Sequence, residues 1–326
     1  MQSEMRAGHL HIHLDKRFNG WRVLDVLTTA FALPEAFSRR LCAAGLVRLG
    51  KRTLQPDDTV QTGARLVLED PSPVAATPNT AVEDPGFCLP AGVAPLEICY
   101  EDDHVLVVNK PAGVIVHSDD PLELTLDTLV AQYYWQSGQY LPVRHVHRLD
   151  KPTTGAVVYA KHGFVARALD AQLTTHQMSR RYLAVVYGDA LSKTQTVAKP
   201  IGRDRHRAGA YRVSSTGKPA RTHIVVQAAS VIDGQQLSLL SCRLETGRTH
   251  QIRVHCAALG APILGDMLYG GRANIHAWPP QQAIALHARE VAFFHPYDEQ
   301  EVVIKCRPGN DWMAFLRKEW GVEDDV

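Results

Sequence analysis

The sequence predicts an α+β protein built from a small N-terminal domain and a larger C-terminal domain. Its 326 residues are enough for two domains, each with its own hydrophobic core. Apolar residues recur at helical spacing in some segments and form short β-branched runs in others, so both helices and strands are expected. Residues 70–95 contain six prolines, which predicts an extended linker that cannot bury a core. We therefore expect domains at residues 1–69 and 96–326.

Composition and the N-terminal sequence limit the classes of protein that the chain can belong to. The chain is 45% hydrophobic and 21% charged, which is typical of a globular protein. It has no apolar run of about 18 residues, the length that a membrane-spanning helix needs. The N-terminal stretch MQSEMRAGHLHIHLDK lacks the apolar core of a signal peptide. We expect a cytoplasmic protein that does not associate with membranes.

Cysteine spacing argues against a cysteine-based scaffold. The six cysteines lie far apart and include no C-x-x-C pair, so neither a zinc ribbon nor a disulfide framework is predicted. We expect them to be reduced, buried or half-buried thiols.

The charge is unevenly distributed along the chain. Residues 144–255 carry 18 Lys and Arg against 6 Asp and Glu, whereas the remainder carries 17 against 28. One surface is therefore expected to be strongly basic. Because contacts from Lys and Arg to phosphates dominate nucleic-acid affinity, a polyanionic partner such as RNA fits this pattern. A solvated charged face without a partner is the alternative.

The N-terminal domain is expected to open with a strand. Residues 9–14, HLHIHL, alternate strictly and place three histidines on one face of a half-exposed edge strand. Helices are expected over 21–29 and 34–44, the second with Pro34 in its first turn and Gly45 just past its end. Short strands follow, with a turn at Gly50. The segment RRLCAAGLVRLGKRTLQPDDTVQTGARLVL resembles the S4 RNA-binding fold, although a packing appendage would show the same pattern.

The C-terminal domain is expected to alternate strands and helices. Strands are predicted at 105–109, 156–160, 180–188, 222–229 and 237–244, and helices at 125–134 and 164–173. Residues 202–221, GRDRHRAGAYRVSSTGKPAR, are polar and rich in Arg and Gly, so we expect a loop that faces phosphate through Arg203 and Arg205. In 245–255, ETGRTHQIRVH, Arg248 and His250 precede a helix, where free backbone N–H groups favour anions.

A single acidic residue, Asp150, stands among basic residues in HVHRLDKPTTGAVVYAK, residues 145–161. Nearby cations favour the ionised form of a carboxylate, which suits a nucleophile or a base. On its own this pattern fits a structural ion pair at a strand entrance better.

Six separate stretches together resemble the RluA-type pseudouridine synthase family over residues 97–309. They are VVNKPAGVIVH, HVHRLDKPTTGAVVYAK, RRYLAVVYG, LETGRTHQIRVH, GAPILGDMLYGG and LHAREVAFFHP. One departure is Thr154, where the family usually has Ser. The resemblance implies a catalytic domain built on a mixed, largely antiparallel sheet, with an S4-like domain before it.

The resemblance also implies the reaction, the isomerisation of uridine to pseudouridine in RNA. Asp150 would be the catalytic aspartate, as a nucleophile at C1′ or a base at C2′. Tyr182 would stack on the base, Arg253 would pair with Asp150, and Arg148 would fill the gap that the flipped nucleotide leaves. The residues expected to contact RNA are Arg148, His147, Lys110, Arg248, His250, Arg203 and Arg205.

The expected partner is ribosomal RNA, favoured over transfer RNA. We expect a monomer without a metal ion, redox cofactor or small-molecule cofactor, because this isomerisation involves no net oxidation. Two other classes stay open at this point. One is an RNA-binding protein that has lost catalysis; the other is a metal-dependent hydrolase that uses His11 and His13, for which the sequence offers no further ligands at suitable spacing.

Overall fold

The computed structural model describes the chain over residues 2–6, 9–31, 33–70, 95–120, 122–139, 141–188, 194–272, 275, 278, 284–298 and 300–322. The predicted linker falls almost entirely on residues 71–94, which lie outside the described residues.

The N-terminal part is a five-stranded antiparallel sheet with short helical segments. Its strands are β1 (Gln2–Arg6), β2 (His9–His13), β3 (Val47–Leu49), β4 (Arg52–Thr53) and β5 (Arg65–Glu69), in the order β1-β2-β5-β3-β4. Its helical segments are α1 (Val23–Asp25), which continues as a π-helical turn over Val26–Ala30, and α2 (Glu35–Ala43). Both predicted helices are thus confirmed, and Gly45 adopts a positive φ of 70° where α2 ends.

The histidine-rich strand lies inside the sheet and not at its edge, so the predicted edge position is wrong. β2 pairs with β1 on one side and with β5 on the other. Its alternation is as predicted: Leu10 and Ile12 are fully buried, and the histidines between them are half-buried on the opposite face. The sequence before the strand showed no comparable alternation, which is why a further strand there went unpredicted.

The C-terminal part is built on a nine-stranded sheet. Its strands are β6 (Glu97–Glu101), β7 (Val105–Lys110), β8 (Thr154–Ala160), β9 (Ser179–Tyr187), β10 (Gln195–Val197), β13 (Thr222–Ile232), β14 (Gln235–Leu244), β15 (Leu286–Phe294) and β16 (Glu301–Lys305). The order is β10-β13-β14-β9-β15-β8-β7-β6, and β16 pairs with β15. Only the β8–β15 pair is parallel among the described strands, so the expected mixed, largely antiparallel sheet is confirmed.

Helices cover this sheet, and a small hairpin projects from it. The helices are α3 (Leu126–Gln136), α4 (Gly163–Thr174), α5 (Gln251–Ala258) and α6 (Asn310–Trp320). The hairpin consists of β11 (Ile201–Arg203) and β12 (Tyr211–Val213). The segment predicted as a phosphate-facing loop is therefore partly a β-hairpin, whose strands are too short to give a readable alternation.

Successive residues of the central strands point to two hydrophobic cores. Leu106, Val108 and Tyr159 contribute to the core shared with α3 and α6. Val107 and Val158 contribute to the other core, which also contains α4 and the apolar residues of the N-terminal part. The two parts of the chain thus share one core on this face of the sheet.

Gly155 permits the close approach of β8 to β15. Its φ is 111°, and a Cβ atom at this position would lie 2.3 Å from the carbonyl oxygen of Ala288. Only glycine fits here, because the strained backbone and the facing strand both exclude a side chain. The glycine of the central motif therefore fixes the strand that follows Asp150.

A disulfide joins Cys99 on β6 to Cys306 just after β16, with a Cα–Cα distance of 5.8 Å. The prediction that all six cysteines are reduced is therefore wrong for this pair. The two cysteines are 207 positions apart, and only the pairing of distant strands brings them together, so sequence spacing could not reveal the bond. Cys42, Cys242 and Cys256 are free and buried, as predicted.

Candidate active site

A cleft with a volume of about 920 Å³ surrounds Asp150. Its lining includes three segments: residues 145–151, the start of β9 with Arg180 and Tyr182, and residues 244–253. The strands β8 and β9 carry the first two segments, while the turn before α5 supplies the third. Asp150 keeps 23% of its side chain exposed, so its carboxylate faces the cleft and remains accessible to a substrate.

Arg253 places its guanidinium between two carboxylates. Its Nη1 donates to Asp150 Oδ2 at 3.2 Å. Its Nε and Nη2 donate to Asp266 Oδ2 and Oδ1 at 2.7 and 2.9 Å. Burial by itself lowers the pKa of Arg253, but the hydrogen bonds and charge of Asp266, then of Asp150, outweigh burial and raise that pKa. The predicted pair of Asp150 and Arg253 is present.

Lys110 stabilises the turn behind Asp150 and does not face the cleft. It is fully buried, and its Nζ donates to the carbonyl oxygens of Pro111, Val114 and Lys151 at 2.9, 2.7 and 3.0 Å. Burial lowers the pKa of Lys110 to about 7, against the opposing effect of Asp150. Three carbonyl acceptors nevertheless require the three N–H groups of the ammonium. In this arrangement the carbonyl groups engage the ammonium, and the contact of Lys110 with RNA stays a prediction.

His147 is also buried, with 7% of its surface exposed. Its Nε2 accepts a hydrogen bond from the Val158 N–H at 3.4 Å. Burial, followed by the charge of Arg180, lowers the pKa of His147 to about 3, so the imidazole is neutral at pH 7. The neutral ring borders the cleft, and its contact with RNA stays a prediction.

Tyr182 lies on β9 at the wall of the same cleft, with 5% of its surface exposed. Burial raises the pKa of Tyr182, and the negative charge of Asp150 acts in the same direction. The phenol is therefore un-ionised at neutral pH. A flat aromatic side chain beside a reactive carboxylate offers a stacking surface for a base.

His250 has the left-handed backbone conformation, with φ at 56°. Its Nε2 lies 3.9 Å from Asp150 Oδ2, and its Nδ1 is 2.7 Å from the Tyr269 hydroxyl. That hydroxyl also accepts the Tyr211 N–H at 2.9 Å, so we assign its own proton to the bond with Nδ1. Burial lowers the pKa of His250, against the opposing effect of Asp150. The hairpin is thereby linked through Tyr269 to the floor of the cleft.

The predicted RNA-contact arginines divide into two groups. Arg148 and Arg248 are exposed and line the cleft. Arg248 also donates through Nε to the Pro219 carbonyl at 2.9 Å. Arg203 and Arg205 are exposed on the hairpin and do not line the cleft. The structure thus brings Arg148, Arg248 and His250 around Asp150 and leaves the other two on a neighbouring surface.

Sequence reasoning missed two charged residues at this site. Arg180 borders the cleft, and its Nε is buried without a hydrogen-bond partner among the described residues. A Cβ atom at Gly247 would lie 2.9 Å from its Nη1, so the glycine of ETGRTH admits this guanidinium. Asp266 was missed because the GAPILGDMLYGG stretch reads as turn-rich scaffold. The available signal was the one acidic residue in this otherwise uncharged stretch.

The described residues contain no group of three or more His, Cys, Asp or Glu that could hold a metal ion. His13, one of the two histidines considered for a hydrolase, instead accepts a hydrogen bond at Nε2 from Arg65 Nε at 2.8 Å. Over the same described part of the chain, no helix is long and apolar enough to cross a membrane.

Comparison with known proteins agrees with this geometry. Residues 104–258 match the family model for RNA pseudouridylate synthase. The chain is 44% identical over 212 residues to the Uncharacterized RNA pseudouridine synthase YhcT of Bacillus subtilis. The aligned region covers 65% of this chain and 68% of that protein. It is 36% identical over 292 residues to Ribosomal large subunit pseudouridine synthase D of Pseudomonas aeruginosa, and the aligned region covers 85% of each chain.

A solved structure gives the same result. Human RNA Pseudouridylate Synthase Domain Containing 1 matches with a TM-score of 0.55 and 30% sequence identity, over 68% of this chain and 86% of that one. The fold and the cleft therefore define an isomerase that acts on RNA. More closely, the chain belongs to the RluA-type branch of the RNA pseudouridine synthase family.

Proposed function

We propose that this pseudouridine synthase modifies ribosomal RNA and uses Asp150 as its catalytic aspartate. The observation that carries the assignment is the accessible carboxylate of Asp150 in the cleft, paired with the buried Arg253. The relative from Pseudomonas aeruginosa is named for the large ribosomal subunit. That name, together with the S4-like pattern of residues 1–69, favours ribosomal RNA over transfer RNA as the substrate.

The reaction breaks the N1 glycosidic bond of a uridine, turns the uracil and joins its C5 to C1′ of the ribose. The C5 proton is lost and N1 gains a proton, so the overall change is an isomerisation. Asp150 begins the reaction either by attacking C1′ or by removing the proton from C2′. In both routes the carboxylate must lie close to the ribose, and the hydrogen bond from Arg253 Nη1 to Asp150 Oδ2 holds it at the cleft.

A uridine inside folded RNA must leave its stack before Asp150 can reach the ribose. Unstacking costs a few kcal/mol, which contacts with the protein must offset. Tyr182 supplies a stacking face, Arg148 is placed to occupy the vacated position, and Arg180 offers an unused N–H group at the cleft wall. Arg203 and Arg205 extend the basic surface along the neighbouring RNA.

The proposal also covers the cofactor requirement, the oligomeric state and the cellular location of the enzyme. An isomerisation without net oxidation calls for no redox cofactor. We propose a monomer that acts in the cytoplasm. Its N-terminal part would bind RNA as a second, S4-like contact.

The test maps pseudouridine across total RNA from cells with and without the gene, by carbodiimide modification and primer extension. We expect one or a few ribosomal uridines to lose their signal, and the gene to restore them. Asp150→Asn should fail to restore them, while Asp57→Asn, an exposed carboxylate in the N-terminal part, should succeed. An unchanged map with RNA binding retained would overturn the proposal in favour of an RNA-binding protein without catalysis.

A further inference from the structure

The guanidinium of Arg253 is divided unequally between its two carboxylate partners. Asp266 accepts two hydrogen bonds from the Nε and Nη2 edge, whereas Asp150 accepts one from Nη1. The bonds to Asp266 are also shorter, at 2.7 and 2.9 Å against 3.2 Å. Two-point pairing fixes the plane of a guanidinium as well as its position. Asp266 therefore decides where Nη1 points.

Burial separates the two carboxylates by role. The side chain of Asp266 is 1% exposed and that of Arg253 is 5% exposed, but that of Asp150 is 23% exposed. The Arg253–Asp266 pair is thus a fixed internal unit, and Asp150 meets it from the cleft side. Among the described residues, no hydrogen bond reaches Asp150 Oδ1, so this oxygen is free for the ribose.

The turn around Asp266 has little freedom to move. Its N–H donates to the Ile263 carbonyl at 3.0 Å, and its carbonyl accepts the Gly271 N–H at 2.9 Å. A Cβ atom at Gly271 would lie 1.9 Å from the Ile263 carbonyl oxygen, so only glycine closes this turn. The Tyr269 ring covers the guanidinium, with the Arg253 Cζ 5.0 Å from its centroid.

We propose that Asp266 is a positioning residue for the isomerisation, an inference that rests on the proposed role of Asp150. Arg253 could pair with Asp150 through two bonds if its Nε and Nη2 were not already engaged. Such pairing would occupy both oxygens of Asp150 and withdraw the carboxylate from the ribose. By holding that edge of the guanidinium, Asp266 restricts Arg253 to one bond and keeps Oδ1 reactive.

The test combines a crystal structure of Asp266→Asn with single-turnover kinetics on the RNA that the mapping identifies. Asparagine keeps the volume but loses the charge and one acceptor. We expect Arg253 to turn towards Asp150 and contact both of its oxygens. We also expect the rate of the chemical step to fall about 100-fold, the order of loss that a small misplacement of a reacting group causes. The Kd for RNA should change less than about threefold, because Asp266 does not face the RNA.

A matched control separates positioning from loss of stability. Asp102→Asn also removes a carboxylate beside a buried side chain, here 3.2 Å from His295 Nε2, but outside the cleft. It should lower the melting temperature without slowing the chemical step. If Asp266→Asn does not fold, Asp266→Glu serves in the same two measurements, because it keeps the charge but pushes the guanidinium by one methylene.

Each outcome either supports or refutes the positioning role of Asp266. A guanidinium that keeps its one-bond contact with Asp150 overturns it, and so does an unchanged rate or a slowdown equal to that of Asp102→Asn. A parent protein that converts no uridine would instead refute the proposed function. The crystal structure would then still show whether Asp266 sets the orientation of Arg253.

Discussion

Asp150 and Arg253 are 103 positions apart in the sequence, yet their side chains share a hydrogen bond of 3.2 Å at the floor of the cleft. The sheet brings them together: Asp150 precedes β8, and Arg253 lies on α5, which follows β14. Arg253 is almost fully buried, so its charge acts on Asp150 through protein and little water. An attraction between charges is much stronger in such surroundings than at an exposed surface.

Loss of Arg253 should reduce both stability and activity. Arg253→Ala leaves Asp266 as an uncompensated buried carboxylate, so we expect the free energy of unfolding to fall by about 3 to 5 kcal/mol. Isomerisation should fall strongly as well, because Asp150 loses the cation that holds it. Urea denaturation and tritium release from RNA labelled at C5 of uridine measure the two effects.

A double variant distinguishes these effects. In Arg253→Met with Asp266→Leu, apolar side chains of similar size replace the buried pair, which is often close to neutral for stability. We expect stability near that of the parent, and activity as low as in Arg253→Ala. Parent-like activity in either variant would show that the ion pair has no part in the reaction.

Gly155→Ala should be far more damaging than the same substitution at a glycine that also has a positive φ but has open space around it. Its Cβ would lie 2.3 Å from the Ala288 carbonyl oxygen, so β8 must move away from β15. We expect the free energy of unfolding to fall by about 3 kcal/mol or more, through backbone strain and overpacking together. Gly234→Ala is the control: its φ is 71° and nothing lies within 4 Å, so a loss of about 1 to 2 kcal/mol is expected. Equal losses in urea denaturation would contradict the close approach of the two strands.

Local pattern was enough to predict most elements of the fold. The β-branched runs that became β8 and β9 and the helical spacing of α3 and α4 are properties of contiguous residues. The separate motifs around Asp150, Tyr182 and Arg253 also indicated a common site. These three side chains indeed line one cleft, and Arg253 donates a hydrogen bond to Asp150.

What escaped prediction depends on distant contacts. Lys110 was expected at the RNA surface, but three carbonyl oxygens from two turns meet at its ammonium and bury it. The Cys99–Cys306 disulfide and the Arg253–Asp266 pair arise in the same way, from the order of strands in the sheet. Sequence spacing carries no record of that order.

Acid should destabilise the protein through its buried histidines. His104 and His162 share a hydrogen bond of 3.0 Å, and burial lowers their pKa values to about 4 and about 3. Unfolding restores a pKa near 6.5, so the unfolded chain binds more protons below that pH. Their contribution is therefore complete above pH 6.5 and is lost as the pH falls towards 4. We expect the free energy of unfolding to drop by about 2 kcal/mol for each histidine between pH 7 and pH 5.

One charged neighbour, Asp102, titrates below this window. The histidine pair is faced by Asp102, His295, Tyr297 and Asp298. The pKa of Asp102 is lowered: burial opposes the shift, and hydrogen bonds from His295 and Tyr100 outweigh it, so its contribution is lost only below about pH 4. His162→Asn, which keeps a polar residue at the start of α4, should make the pH dependence of urea denaturation shallower. His206→Asn, an exposed control, should not, and an identical slope in both variants would refute the assignment.

The hairpin arginines should affect RNA affinity and not the chemical step. Arg203 and Arg205 are exposed, outside the cleft, on the hairpin that Tyr269 connects to the active site. Each phosphate contact contributes about 0.7 to 0.9 to the slope of log K against log salt concentration. The double variant Arg203→Gln with Arg205→Gln should therefore lower that slope by about 1.4 to 1.8.

The same double variant should keep its rate at saturating RNA within about twofold of the parent, because neither arginine contacts Asp150, Tyr182 or Arg253 and the loss is in uniform binding. Lys305→Gln on β16, an exposed cation outside the cleft, should change neither the slope nor the rate. Filter binding at several salt concentrations and single-turnover kinetics separate the two quantities. An unaltered slope would remove the hairpin from the RNA-binding surface. A large fall in rate at saturating RNA would instead mean that the link from Tyr211 through Tyr269 to His250 transmits RNA binding to the active site.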